Sequence, residues 1–300
     1  MADVLGAAMG IGFGGAALAA ETAHGGPLAA RADFGVYRDL VELFPGSYMT
    51  DPMFDLTGRV ALVTGGSRGL GRAMADAFAA RGADLIVASR KADACESASR
   101  EITARFGVTA LPVACNVSSW TDCDALIDRA YTKFGRVDVL VNNAGMSPLY
   151  PSLDQVSEAL WDKVIAVNLK GPFRLTAVIG SRMAAGAGGS VINVSSVAAT
   201  QPSPRELPYA AAKAGLNALT QGFARAFGPT VRVNAIQAGP FLTDISKAWD
   251  LDAFAERART SIALGRAGEP HEVIGAALYF ASAASSFCTG AVLRLDGGVF

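Results

Sequence analysis

After residue 53, short apolar runs alternate with amphipathic stretches along the chain. Val60-Ala61-Leu62-Val63-Thr64 follows Arg59 and stops at Gly65. An apolar run with no polar alternation predicts a strand buried on both faces, as parallel sheets require. Leu70, Met74, Ala77 and Phe78 come next at helical spacing, which predicts strand, glycine turn and helix. Further strand-like runs are Leu85–Ala88, Ala110–Ala114, Val137–Val141, Val191–Val194, Val231–Ile236 and Ala291–Leu295. Helical patterns lie between them, for example Leu216, Leu219, Phe223 and Phe227. Seven strands with intervening helices predict one doubly wound α/β domain, its parallel sheet covered on both faces.

The first 52 residues break this pattern. Residues 1–30 hold ten Ala and seven Gly and no Lys or Arg. The uncharged stretch Val4–Ala20 is 17 residues long and contains five glycines. A membrane span normally needs about 20 predominantly apolar residues. Ala17-Leu18-Ala19 looks like a signal-peptidase site, yet the basic n-region is missing. A flexible or partly helical extension is therefore expected over 1–52, ahead of a targeting segment and of a span. The catalytic domain is expected over 53–300.

Composition narrows the function. Lys+Arg number 26 and Asp+Glu 27, a net charge of −1, so the basic excess of a nucleic-acid binder is missing. Hydrophobic residues make up 51% and charged residues 18%, which excludes bulk disorder. Only His24 and His271 exist, so a multi-histidine metal site is impossible, and no metal is expected. Cys95, Cys115, Cys123 and Cys288 form no CxxC pair. They read as small hydrophobes in a reducing, cytoplasmic compartment. Asp122, Asp124 and Asp128 read as an exposed helix face, and His271 as a solvated polar residue at a helix start.

The 33 glycines exceed the usual share, and one cluster carries chemistry. Thr64-Gly65-Gly66-Ser67-Arg68-Gly69-Leu70-Gly71 joins the first strand to the first helix. Glycine lets the backbone turn sharply and approach a pyrophosphate, while a helix N-terminus offers free amides. The spacing is TGxxxGxG, not GxGxxG. On this spacing the chain resembles the classical short-chain dehydrogenase/reductase family. The resemblance continues through Asn142-Asn143-Ala144-Gly145, then Asn168 in Val164-Ile165-Ala166-Val167-Asn168. Ser195-Ser196, the YxxxK of Tyr209 to Lys213, and Asp296-Gly297-Gly298 complete it. It spans roughly residues 53–300.

The resemblance implies a single Rossmann-like domain binding a nicotinamide dinucleotide. It implies cofactor contacts at Gly65, Ser67, Arg68, Gly69, Leu70, Gly71, Ser89, Arg90, Asn116, Val117, Asn143, Ala144, Gly145, Tyr209, Lys213, Gly239 and Thr243. It implies catalytic roles for Asn168, Ser196, Tyr209 and Lys213. Homotetramers are common in the family, so a homotetramer or homodimer is expected, with no nucleic-acid or membrane partner. Two positions depart from the pattern: Asn116 stands where Asp is frequent, and Ala238 replaces the proline of PGxxxT. Altered adenine contacts and an altered loop backbone are the respective expectations. Phe241, Trp249 and Phe254 lie in or near the segment that covers substrate in the family, where lid packing fits equally well.

Tyr209 and Lys213, spaced i and i+4, stack on one helix face. A free tyrosine has a pKa of about 10, and a neighbouring cation is expected to lower it. Tyr209 then exchanges a proton with a carbonyl or alcohol oxygen, and a serine hydroxyl polarises that oxygen. Ser196 lies 13 residues before Tyr209 and Ser195 lies 14, and the spacing slightly favours Ser196. Ser89 stands where an NAD-preferring site carries an acidic residue, and Arg90 and Arg68 add charge beside it. These three favour NADP(H) over NAD. The expectation is an NADP(H)-dependent oxidoreductase interconverting a small-molecule carbonyl and a secondary alcohol. The alternatives are an NAD-dependent alcohol or polyol dehydrogenase on this fold, and a non-catalytic nucleotide sensor. The sensor reading expects loss of Ser, Tyr or Lys, and all three are present. An epimerase or dehydratase of a related fold expects a TGxxGxxG-like loop, which Thr64–Gly71 does not match. Acyl thioesters, sugars or polyols, steroids and small ketones or quinones all remain open as substrates.

Overall fold

The computed structural model describes residues 51–243, 246 and 250–300. The expected N-terminal extension lies outside the described residues up to position 50, as does Trp249. The strands are β1 (Val60–Thr64), β2 (Asp84–Ser89), β3 (Ala110–Ala114), β4 (Val139–Asn142), β5 (Gly189–Ser196), β6 (Val231–Ala238) and β7 (Val292–Leu295). They form one parallel sheet in the order β3-β2-β1-β4-β5-β6-β7. Order reverses between β1 and β4, which opens a crevice at the carboxyl ends of the strands, the usual ligand position of open α/β sheets.

The helices are α1 (Gly69–Ala79), α2 (Ala92–Phe106), α3 (Trp120–Phe134), α4 (Glu158–Ile165), α5 (Gly171–Ala184), α6 (Leu207–Phe227), α7 (Leu251–Ser261) and α8 (Ile274–Ala281). Strand periodicity assigns alternate side chains to two cores. Ala61, Val63, Leu85 and Val87 pack with Met74, Phe78 and Phe280 from α1 and α8. Val60, Leu62, Ile86 and Ala88 pack with Leu126, Ile127, Leu175 and Ile179 from α3 and α5. Every residue of β1 is buried, as an all-apolar run covered on both faces requires.

Sheet ends are tied by polar groups. Asp138, buried just before β4, accepts the Val60 amide at 2.9 Å and pairs with Arg59 and Arg136. At the opposite ends, Asn142 donates to Asn193 Oδ1 and Thr176 Oγ1, both at 2.9 Å. Asn193 in turn donates to Thr220 Oγ1 at 2.9 Å. This chain joins β4 and β5 to α5 and α6, and so fixes α6 against the sheet below the Tyr209–Lys213 face. Among the described residues no helix is long and apolar enough to cross a membrane, and no His/Cys/Asp/Glu group could hold a metal. The carboxylates read as a helix face meet ordinary partners: Arg174 pairs with Asp124 at 2.6 Å and the Ser119 hydroxyl donates to Asp122 at 2.8 Å.

Candidate active site

The glycine loop leaves β1 and opens α1. Gly65 and Gly69 have φ of 66° and 55°, a region that L side chains rarely adopt. A Cβ at Gly71 would sit 2.3 Å from the Gly65 carbonyl oxygen and 2.4 Å from Asn143 Nδ2. Asn143 holds the loop from the β4 side, donating to the Thr64 carbonyl at 2.9 Å and to that of Gly65 at 3.4 Å. Thr64 Oγ1 accepts the amides of Asn143 and Ala144 at 3.0 and 3.1 Å. Arg68 occupies the N-cap of α1 without a side-chain capping bond. The first-turn amides therefore face outward with the positive end of the helix, a fit for a pyrophosphate. Leu70 packs partly into the core behind them.

At the end of β2, Ser67 Oγ donates to Ser89 Oγ at 3.1 Å, which ties the glycine loop to the position expected to choose the coenzyme. Cys95 Sγ lies 3.0 Å from the same Ser89 hydroxyl. Arg68 and Arg90 are both exposed beside this pair. After β3, exposed Asn116 accepts the Ser118 hydroxyl at 2.9 Å, while Val117 is buried with its carbonyl against Gly171. Ala238 is the last residue of β6, in register with Ser196 of β5 and Leu295 of β7. The next residue, Gly239, packs against Asp296, where a Cβ would meet Asp296 Cα at 2.5 Å. Thr243 returns to the glycine loop, its Cγ2 3.6 Å from where a Cβ on Gly69 would lie. Phe241 is buried against Gly268, and Phe254 lies under Arg257. Exposed His271 occupies a short turn before α8.

The catalytic candidates meet at the carboxyl ends of β4 and β5. The two adjacent serines point to different neighbours. Ser195 is buried and donates to the Lys213 carbonyl at 3.4 Å, whereas the Ser196 hydroxyl hydrogen-bonds the Tyr209 phenol. Lys213 is 3% exposed, donates to the Val194 carbonyl at 2.8 Å, and sits 5.5 Å from the Tyr209 ring centroid. Asn168 lies in a π-helical turn, Ala166–Lys170, between α4 and α5. Its amide donates to the Val164 and Met146 carbonyls, both at 2.9 Å, and its Oδ1 accepts the Met146 amide at 3.2 Å. Gly145 lies in the gap between Asn168 and Lys213.

The electrostatics correct one expectation. Lys213 was expected to lower the pKa of Tyr209. Instead burial pushes the phenol up to about 12, opposed by the Ser196 hydroxyl and reinforced by the charge of Glu206. Burial also pushes the Lys213 ammonium down to about 8. Both shifts have one cause: a charge buried among apolar atoms loses its hydration. The neutral phenol is accordingly the favoured form of Tyr209.

Sequence reasoning missed Ser147, Tyr150 and Glu206. Tyr150 Oη donates to the Pro204 carbonyl at 2.7 Å and accepts the Leu207 amide at 2.9 Å, clamping the start of α6. Half-buried Glu206 accepts a hydrogen bond from Ser147. Its signal was its place three residues before Tyr209, the distance of one helical turn.

Fold and site together define an oxidoreductase with a dinucleotide loop at one end of the crevice and a Ser–Tyr–Lys cluster at the other. A family model described as enoyl-(acyl carrier protein) reductase matches residues 65–300. D-threitol dehydrogenase of Mycolicibacterium smegmatis is 35% identical over 82% of this chain and 94% of its own length. L-rhamnose 1-dehydrogenase (NAD(P)(+)) of Azotobacter vinelandii is 38% identical over 82% and 98%. The solved 3-oxoacyl (acyl-carrier-protein) reductase of Agrobacterium tumefaciens, with NADP bound, superposes with a TM-score of 0.78 at 35% identity, covering 84% of this chain and 100% of that one. The chain belongs to the classical short-chain dehydrogenase/reductase family, whose members act on small-molecule alcohols and carbonyls with NAD(P).

Proposed function

We propose that residues 53–300 form an NADP(H)-dependent oxidoreductase that interconverts a carbonyl and a secondary alcohol, with Tyr209 as acid/base. The observation that carries this reading is the Ser196–Tyr209 hydrogen bond with Lys213 buried beside the ring. When bound, the nicotinamide supplies or accepts the hydride. In reduction the Ser196 hydroxyl donates to the carbonyl oxygen and polarises it. Tyr209, held neutral by burial, gives its proton to the same oxygen as negative charge develops there. Lys213 keeps a cation near the phenol and lowers the barrier to leaving a phenolate behind. Asn168 acts through the backbone, fixing the loop around Met146 against α4.

Ser89 supports NADP(H) because no carboxylate repels the additional phosphate there, and Arg68 and Arg90 lie beside it. The glycine-loop amides would hold the pyrophosphate. Four free cysteines support a cytoplasmic, reducing setting. Exposed Phe173, Trp161 and, at the other end of the sheet, Phe287 and Phe300 support a homo-oligomer. Light scattering that finds a stable monomer at micromolar concentration contradicts that assembly.

The deciding experiment pairs Tyr209→Phe with a coenzyme comparison. The variant is expected to keep NADPH binding and lose nearly all turnover, and retained turnover sinks the Tyr209 assignment. Wild-type kcat/KM is expected to favour NADPH over NADH, and Ser89→Asp with Arg90→Ala to reverse much of that preference. An NADH preference in the wild type returns the coenzyme reading to NAD.

A further inference from the structure

Glu206 occupies the N-cap position of α6 but makes no side-chain capping bond. Asp, Asn, Ser and Thr are the residues that cap well, because their short side chains reach the first-turn amides. The Glu206 carboxylate is instead half-buried and turned toward Ser147, five residues after Asn142 at the end of β4. Its charge is felt by the Tyr209 phenol, which places it in the same corner of the crevice as the proton donor. No Lys or Arg forms an ion pair with it among the described residues. The clamp from Tyr150 to Pro204 and Leu207 holds the segment that carries it.

An ionised carboxylate offers about four acceptor sites, and Ser147 occupies one. The rest are left for donors that arrive with the substrate. A half-buried carboxylate also repels an anionic group that approaches the reacting carbonyl. Family membership does not decide the matter, since the related proteins act on a sugar, a polyol and an acyl thioester.

We infer that Glu206, with Ser147, is a specificity-determining pair that binds a hydroxyl group near the reacting carbonyl, so that the substrate is a neutral hydroxylated carbonyl or polyol. The inference rests on the reading of Tyr209 as acid/base given above. Burial holds the Glu206 pKa above the usual carboxylate range, with Ser147 opposing, as expected of a group with few partners. A hydrogen bond from a substrate hydroxyl to a charged acceptor is strong, and a site built for it discriminates against an analogue that lacks the hydroxyl.

The test uses the full chain with NADPH and NADP. Ketoses and polyols of four to six carbons are compared with deoxygenated ketones and alcohols of equal chain length, and with the matching amino ketones. Wild type is expected to favour the hydroxylated series in kcat/KM by about tenfold or more. Glu206→Leu is expected to cut that ratio by about tenfold or more, chiefly through KM, and Glu206→Gln to fall between. The ratio is taken within each variant, so a general loss of folded protein cancels. A ratio that neither substitution moves overturns the inference, as does a wild type that prefers the deoxygenated or the amino series. Tyr209→Phe separates the two failures. If that variant is inactive while Glu206 leaves the ratio unchanged, only the hydroxyl reading falls. If it retains turnover, the acid/base reading beneath it falls.

Discussion

Replacing Lys213 by Met should change how stability depends on pH while abolishing turnover. In the folded chain the ammonium is buried and its pKa is pushed from 10.5 down to about 8 by lost hydration. In the unfolded chain it titrates near its ordinary value. Between these two values the unfolded state binds more protons than the folded state, so stability rises with pH across that window. Below about pH 8 both states are protonated and the folded state carries the full burial penalty, roughly 3 kcal/mol. Above the unfolded value the penalty is gone. Lys213→Met removes the penalty at every pH, at the expense of the 2.8 Å bond to the Val194 carbonyl, worth about 1–3 kcal/mol when a buried group is left unpaired. At pH 7 the variant should therefore be about as stable as wild type or somewhat more stable. The sharper quantity is the difference between the two pH profiles, because other titrating groups act equally in both proteins. Urea unfolding of the coenzyme-free chains at pH 7, 8.5 and 10 reads it directly. Wild type should gain on the variant by roughly 2–3 kcal/mol from the lowest to the highest pH, a midpoint change of about 1 M for a slope near 3 kcal/mol per M. Parallel profiles would refute the buried-ammonium reasoning.

Two further substitutions probe separate parts of the site. Ser196→Ala should lower kcat by about 10²–10³, the effect of removing one donor to a developing oxyanion, while Ser195→Ala, whose hydroxyl meets only the Lys213 carbonyl, should lose far less. Steady-state reduction rates decide it, and equal losses would reassign the serine. Gly71→Ala forces a Cβ against the Gly65 carbonyl and Asn143 Nδ2, neither the far end of a flexible side chain, so about 1–3 kcal/mol of stability should be lost. NADPH affinity should weaken with it when followed by coenzyme fluorescence, and an unchanged Kd would separate the glycine from the dinucleotide loop.

The strand cores were legible because a strand buried on both faces must be apolar throughout, and β1 and β3 match their runs in all but the flanking residues. The ends were less so. β5 continues to Ser196 and β6 to Ala238, through Ser195 and Gln237, which no apolar run signals. Backbone pairing between the two strands extends them, and pairing depends on the neighbour more than on the local residues. Asp138 reads poorly as a strand residue until the Val60 amide and two arginines are placed around it. At the site, the glycine loop and YxxxK were readable because their chemistry is local in sequence. Glu206 and Ser147 were not, since they lie 59 positions apart and meet only when α6 docks beside β4.

Spacing alone argued that the lysine would lower the pKa of the tyrosine, and that argument failed for a physical reason. An i, i+4 pair on an exposed helix exchanges charge through water, where attraction between unlike ions is the main effect. Here the pair is packed against β5, Lys213 donates to the Val194 carbonyl, and desolvation outweighs attraction for both groups. Glu206 adds to the effect on the phenol and Ser196 opposes it. A phenol kept neutral across the physiological range is ready to give a proton and poor at taking one. The same burial that contradicts the simple electrostatic expectation therefore favours proton donation to a carbonyl, the reductive direction, in the free protein. Oxidation requires something to stabilise the phenolate, and the hydrogen bond from Ser196 is the one group beside Tyr209 already acting in that sense.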